Sequence, residues 1–408
     1  MKVLHINTSD TGSGGAIAAY RLYQGLLSQG VDSQLLVNSS KSLDNRIAII
    51  PRKITQEKLS FQIAKHISLN YVNVINTFKI PQHPFFKEAQ IINFHNLHGG
   101  YFNYLAIPKL TESKPAVFTL HDMWSFTGHC VYSFDCDRWK FGCGQCPYLD
   151  TYPAIQKDTT NLEWKLKKWI YNHSNLVIVT LSKWLTKQAK KSILNCFPIH
   201  HIPNGIDTQA YQPINSELCR HILGIPDNKK VIMFAAQSLA DPRKGGDLLL
   251  KALQSLPESL KQETILLTFG SSGETITKEL GMQAMNLGYV QSDRLKSIAY
   301  SAADLFVFPT RADNLPLVLQ ESMACATPMV SFNVGGVPDL VRPGITGYLA
   351  EPENATELST GIVELLEDVT LRECMNRHCR EITIKEYSLE LQAQRYIDLY
   401  RQTLAANN

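Results

Sequence analysis

Two doubly wound α/β domains in series are predicted, and three observations predict them. A chain of 408 residues exceeds what one ordinary core organises. Short continuous apolar runs alternate with amphipathic stretches, the pattern of parallel strands covered by helices on both faces. The pattern then restarts after "IPNGIDTQAYQP" (202–213), whose Pro, Gly, Asn and Asp mark a boundary.

The elements follow in order. "KVLHIN" reads as the first strand, and "GSGGAIAAYRLYQGLLSQG" as a glycine-rich turn feeding a helix stopped by Gly30. "DSQLLVNS", "AQIINFHN", "AVFTLHD" and "NLVIVTLS" read as further strands of the first half. In the second half "KVIMFAAQ", "ETILLTFGS", "NLGYV", "DLFVFPT", "TPMVSFN" and "GYLAE" read as six strands. "IKEYSLELQAQRYIDLYRQTLAANN" reads as one long amphipathic helix. The expected division is 1–207, 208–382, and a C-terminal helix 383–408 packing back on the first domain. Ligands of such sheets bind outside the strand C-termini, so a cleft between the two halves is expected.

Composition narrows the function classes. With 44% apolar and 19% charged residues the chain reads as globular. The start "MKVLHINTSDTGSGG" reads as a strand and loop rather than a signal peptide, and no run reaches the about 18 apolar residues of a membrane span. A cytoplasmic location is expected. Net charge is +3, divided as +9 over residues 1–207 and −6 over the rest. "WKLKKW" (164–169) and "KWLTKQAKK" (183–191) read as solvated helix faces, or as a surface that meets anionic lipid at the inner face of a membrane. An acidic second half without a continuous basic stripe argues against nucleic acid.

Four stretches carry chemistry. "TGSGGA" (11–16) places glycines and a helix N-terminus after the first strand, where backbone N–H groups can approach an anion; the alternative is a tight turn. Its spacing is not that of the dinucleotide fingerprint. "SLADPRKGGDLLLKAL" (238–253) sets Arg243 and Lys244 at a strand-to-helix turn, suited to a diphosphate or else two solvated cations. His121 in "TLHD" ends a strand. In "DNLPLVLQES", Pro316 is placed in the first turn of a helix capped by Asp313 or Asn314, with Glu321 two turns in. Eight helical residues rise about 12 Å, whereas paired glycosidase carboxylates stand about 5 to 9.5 Å apart. Asp313 and Glu321 therefore read as groups that hold an extended ligand rather than an acid/base pair.

The ordered set "GSGGA", "TLHD", "PNGID", "RKGG", "LGYV", "AADLFVFPT", "DNLPLVLQESMACATPMV" and "GGVPDLV…GITGYL" resembles the family-4 retaining glycosyltransferases (group 1 glycosyl transferases), most specifically over residues 280–350. The resemblance implies the GT-B fold, two Rossmann-like domains facing across a cleft. It implies transfer of a sugar from a nucleotide diphosphate with retained configuration and without a metal. The family's E-x7-E motif falls on Asp313 and Glu321, the first carboxylate being Asp here. Glu321 would then hold the ribose hydroxyls, Asp313 would approach the donor sugar, and Asn314 and Leu315 would bring backbone N–H groups near sugar and phosphate. Lys244 matches the diphosphate lysine. The family's Gly-Arg pair is missing near Gln237–Ser238, and Arg243 is the candidate replacement. Tyr289 and Val290 lie where the base binds, His121 near the donor sugar, and Gly14 and Gly15 beside diphosphate and acceptor. No Asp-x-Asp motif of the metal-dependent kind is read. A UDP-sugar donor is expected, glucose first, with a polysaccharide or lipid-linked oligosaccharide acceptor in bacterial envelope or exopolysaccharide synthesis. The rival readings are a phosphorylase or sugar-nucleotide hydrolase on the same fold, an inactive carbohydrate-binding relative, and a zinc-containing nucleic-acid module.

"HCVYSFDCDRWKFGCGQCPY" gathers Cys130, Cys136, Cys143 and Cys146. In a cytosolic protein disulfides are disfavoured, so the quartet reads either as a structural zinc site or as free thiols. The segment is expected to form a lid or acceptor wall on which Trp124 and Trp139 stack against sugar. Cys196, Cys219, Cys325, Cys374 and Cys379 read as packing residues.

Overall fold

The computed structural model describes residues 1–52, 68–271 and 280–407, which divide into two compact units, Met1–Asn204 with Glu390–Asn408 and Gly205–Leu389. The first unit holds strands β1 (Lys2–Ser9), β2 (Asp32–Ser39), β3 (Ile47–Ile49), β4 (Ile91–Phe94), β5 (Ala116–Leu120), β6 (Leu176–Thr180) and β7 (Ile199–His201). The sheet order is β3-β2-β1-β4-β5-β6-β7 and every pairing is parallel. The order reverses between β1 and β4, which is the topological switch point of an open α/β sheet.

Strands buried on both faces explain the uninterrupted apolar runs. On one face Ile6, Ile92, Phe94 and Phe118 pack with Phe102 and Trp124; on the other Val3, Ile91, Val117 and Val179 pack under Ala393, Tyr396 and Tyr400. That second cover is the last helix, Leu389–Ala405. It is held by polar groups too: Asn93 Nδ2 donates to the Tyr400 hydroxyl (2.7 Å), and the hydroxyls of Thr119 and Tyr396 lie 3.0 Å apart. The sequence suggested one C-terminal helix, but there are two. Val369–Tyr387 belongs to the second unit and ends at Ser388, whose backbone is extended (ψ 150°). There the flanking Tyr387 carbonyl and Leu389 N–H bond across to Ile206 (2.8 and 3.0 Å), an exchange that no helical ladder permits.

The second unit holds β8 (Lys230–Ser238), β9 (Thr264–Ser271), β10 (Ala284–Asn286), β11 (Leu305–Phe308), β12 (Met329–Phe332) and β13 (Gly347–Ala350), ordered β10-β9-β8-β11-β12-β13 and parallel throughout. Its switch point lies between β8 and β11. "NLGYV" is not a strand beyond Asn286, because Gly288 takes a left-handed backbone (φ +67°) that breaks the pleat. Among the described residues no helix is long and apolar enough to cross a membrane.

Candidate functional site

At the second unit's switch point two loops meet, one leaving β8 and one leaving β11. The first makes a short turn over Pro242–Lys244, started by the Asp241 carboxylate accepting from the Arg243 N–H (2.9 Å). Gly245 follows at φ +72°, where a Cβ would stand 1.8 Å from the Pro309 carbonyl oxygen; only glycine lets the loops approach this closely. The second loop delivers Asp313. Its Oδ2 accepts from Lys244 Nζ (2.7 Å), Arg243 (3.1 Å) and the Thr310 hydroxyl (3.1 Å). The three charged side chains are 12 to 28% exposed. Burial alone would raise the Asp313 carboxyl, but Lys244 and Arg243 outweigh it and hold the group below its ordinary value of 3.8. Burial likewise lowers the Lys244 ammonium, against the attraction of Asp313.

Two cations converge on one carboxylate: Asp313 engages both Arg243 and Lys244, contacts that the motif alone did not suggest. The following helix also differs: it runs Leu317–Ala324, Pro316 is its cap, and neither Asp313 nor Asn314 caps it through a side chain. Glu321 is thus about one turn in. It is buried (4% exposed), and the Tyr300 hydroxyl stands 3.3 Å from its Oε2. Asn314 and Leu315 are buried, Val290 is buried, and Tyr289 is exposed on the loop after β10.

In the first unit the sequence-predicted residues lie at strand C-termini. Gly14 and Gly15 open the helix Gly14–Ser28, capped by the Ser13 hydroxyl accepting from the Ala16 N–H (3.3 Å). The Asn96 side chain lies against Gly15, joining the loops after β1 and β4 across the switch point. His121 directly follows β5 and is the outer member of a chain of imidazoles. Its Nε2 stands 3.1 Å from His95 Nδ1, and His95 Nε2 stands 2.9 Å from His5 Nδ1. Burial lowers all three, His5 to about 3 and His121 to about 4, so all are neutral near pH 7. Next to His121, the Asp122 carboxylate binds His98 (2.8 Å) and accepts from the Trp124 N–H (2.8 Å). Sequence reasoning missed His5, His95 and His98. The available signal was the histidines of "HIN" and "NFHNLHGG", at and beyond two strands that proved to be neighbours.

Three further expectations are corrected. Trp124 and Trp139 are each 2% exposed: Trp124 packs on Tyr71, Tyr104 and His98, and Trp139 on Phe126, so neither presents a sugar-stacking face. Lys167 of "WKLKKW" is not on a solvated face. It is 1% exposed, its ammonium donating to the carbonyls of Trp124 (2.6 Å) and Thr127 (3.0 Å). One Asp-x-Asp does exist, Asp135–Cys136–Asp137. It lies in the cysteine segment, where Asp135 accepts from the Tyr148 hydroxyl and Asp137 pairs with Lys140 (2.6 Å).

A model described as glycosyl transferases group 1 matches residues 215–381, and one described as Glycosyltransferase Family 4 matches residues 12–210. The chain belongs to the family-4, group 1 glycosyltransferases. A relative matched end to end is the putative colanic acid biosynthesis glycosyl transferase WcaC of Escherichia coli, 24% identical over 98% of this chain and 100% of its own. The GDP-mannose-dependent monoacylated alpha-(1-6)-phosphatidylinositol monomannoside mannosyltransferase of Corynebacterium glutamicum is 27% identical over 55% of this chain and 61% of its own. Among solved structures, sucrose-phosphate synthase from Thermosynechococcus elongatus superposes with a TM-score of 0.75 at 19% identity, covering 99% of each chain. Anabaena HepE in complex with UDP does so with a TM-score of 0.70 at 17% identity, over 98% of this chain and 100% of its own. The fold is therefore GT-B, and the chain is a nucleotide-sugar glycosyltransferase.

Proposed function

We propose that this glycosyltransferase moves a hexose, glucose first, from a UDP-sugar to a growing polysaccharide or lipid-linked oligosaccharide, with retention and with protein cations in place of a metal. The observation that carries the reading is the Arg243–Lys244–Asp313 cluster at the switch point of the second sheet, where open α/β sheets bind ligands. As the bond from the anomeric carbon to the diphosphate breaks, negative charge grows on the leaving oxygen. Lys244 and Arg243, already oriented by Asp313, stabilise that charge without reorganising at the moment of reaction. The acceptor hydroxyl attacks from the face the diphosphate leaves, and its proton passes to a diphosphate oxygen. Asp313 acts here as a positioning residue.

Glu321 receives the ribose hydroxyls, with Tyr300 fixing its carboxylate. Asn314 and Leu315 offer backbone N–H groups to sugar and phosphate, Tyr289 and Val290 flank the base, and Gly14 and Gly15 line the acceptor side. His121, kept neutral by burial, hydrogen-bonds the donor sugar, and His95 and His5 behind it hold its ring. The name of the Anabaena neighbour's ligand supports uridine; that of the mannosyltransferase keeps guanosine in the test.

The test is calorimetric titration with UDP, GDP, ADP and CMP, each with EDTA present. Tight binding of UDP alone, lost in Glu321→Ala, is expected. Binding of GDP instead replaces the donor class, and binding only when a divalent cation is restored overturns the metal-free site. Proton NMR of the product formed from the UDP-sugar reports the anomer. An inverted product refutes retention.

A further inference from the structure

The segment between the short turn Trp124–Phe126 and the helix Thr160–Asn172 contains a single turn of regular structure, Arg138–Lys140. Compact segments of this length without their own helices or strands are uncommon, and they need something besides backbone ladders to hold them. Its four cysteines all line one cavity, together with His129, Gly128 and Thr160. From these residues we propose that Cys130, Cys136, Cys143 and Cys146 form a tetrahedral structural site for one zinc ion, which staples the segment to the first unit.

The local backbone is built for convergence of the thiols. Gly142, Cys143, Gly144 and Gln145 all have positive φ (135°, 55°, 89° and 49°), and for Cys143 and Gln145 this is a sparsely populated region that persists only where surroundings impose it. The knuckle so formed turns Cys143 and Cys146 toward the same cavity. It is fastened from both sides. The Cys143 N–H donates to the Arg138 carbonyl (2.9 Å), the Gly144 N–H to the Thr160 hydroxyl (2.8 Å), and the Cys146 N–H to Asp158 (2.7 Å). The Gly128 N–H donates to Cys143 Sγ (3.2 Å), the kind of outer hydrogen bond that orients a ligating sulfur. His129 gives its Nδ1 hydrogen to the Pro153 carbonyl (3.0 Å), and its Nε2 stands 3.4 Å from Cys146 Sγ.

Chemistry selects the ion. Four sulfurs in a tetrahedron suit zinc or an iron–sulfur centre; zinc needs no inorganic sulfide beside the four thiols that line the cavity, and metal analysis separates the two. Binding exchanges four S–H protons, released to solvent, for four S–Zn bonds, so no oxidant is required. The resulting negative charge falls near the buried Lys167 ammonium, which is within electrostatic reach of Cys130 and Cys143. Among the described residues no three His, Cys, Asp or Glu side chains already stand at ligating positions, so the four thiols must rotate inward to reach one ion.

The experiment uses full-length protein made in zinc-supplemented medium and purified reduced, without chelator. Metal analysis is expected to find about one zinc per chain, abolished in Cys143→Ser/Cys146→Ser and kept in Cys196→Ser, whose thiol is exposed and distant in sequence. Because the double variant can fail to fold, the unmodified protein provides a second readout. Cys136 and Cys146, which are only half-buried, should resist alkylation until a chelator is added, then react fast. Less than about 0.1 zinc per chain, disulfides within the quartet, or stoichiometric iron would overturn the proposal. So would loss of zinc in His129→Ala with retention in Cys146→Ser, since the imidazole would then be the fourth ligand.

Discussion

Replacing Asp313 by Asn keeps the shape of the side chain and removes the charge that Lys244 and Arg243 share. The cost follows from the exposures. Solvent-exposed ion pairs contribute about 0–1 kcal/mol, and removing one partner of a fully buried pair costs about 3–5 kcal/mol. Here Asp313 is 12%, Lys244 16% and Arg243 28% exposed, and Arg243 keeps Asp241 (3.3 Å) and the Ala312 carbonyl (2.9 Å) as partners. Lys244 loses the most, with the Phe308 ring 5.1 Å away as its neighbour. A loss of about 2–3 kcal/mol is expected, which for a unit of this size lowers Tm by about 4–12 °C. The assay is thermal unfolding followed by circular dichroism, with and without UDP. The diphosphate gives the cations a new anionic partner, so saturating UDP should narrow the gap. The pH dependence has a definite sign. The folded carboxyl lies below its unfolded value near 3.8, so its contribution is fully present above 3.8 and is lost only as pH falls through the lower folded value. The gap between the two proteins is therefore constant from pH 7 to pH 5. A variant as stable as the parent, or a gap that closes between pH 7 and pH 5, would refute the reasoning.

Three further perturbations have definite signs. Lys244→Ala should depress turnover more than donor affinity, because charge on the diphosphate grows in the transition state; unchanged turnover under saturating donor removes the leaving-group role. Glu321→Ala should weaken UDP by about 1–3 kcal/mol, or about 5- to 150-fold, in isothermal titration, and an equal Kd would move ribose recognition elsewhere. His5, His95 and His121 all resist protonation when folded, so below about pH 6.5 the unfolded chain binds protons that the folded one does not, and stability falls with pH. Urea midpoints between pH 6 and 5 should show that slope, and His95→Gln should reduce it by about 1.4 kcal/mol per pH unit; the same slope in both proteins would mean the imidazoles are not buried neutral.

Much of the fold was legible because it is written locally. The runs around Ile6, Ile92, Val117 and Val179 read as strands since both faces of each are covered, and continuous burial needs no long-range information to show in sequence. The short edge strands Ile47–Ile49 and Ile199–His201 were invisible for the converse reason. Three partly exposed residues apiece carry no apolar period, and they become strands only by pairing with β2 and β6.

The site divides the same way. Arg243, Lys244 and Asp313 were readable as candidates because their loops carry turn residues and charges at element ends, and Glu321, inside the helix Leu317–Ala324, only through the resemblance of its motif. That the first three form one cluster was not, since Lys244 and Asp313 lie 69 residues apart and meet only through the strand order β8-β11. His5 and His95 lie 90 residues apart and meet through the adjacency of β1 and β4. Trp124, Trp139 and Lys167 looked like surface groups by type, and packing withdrew them all. Residue type and period determine which segments form strands and helices and which loops carry charge. Which charges meet, and which polar groups are buried, depends on strand neighbours distant in sequence, so tertiary structure alone decided it.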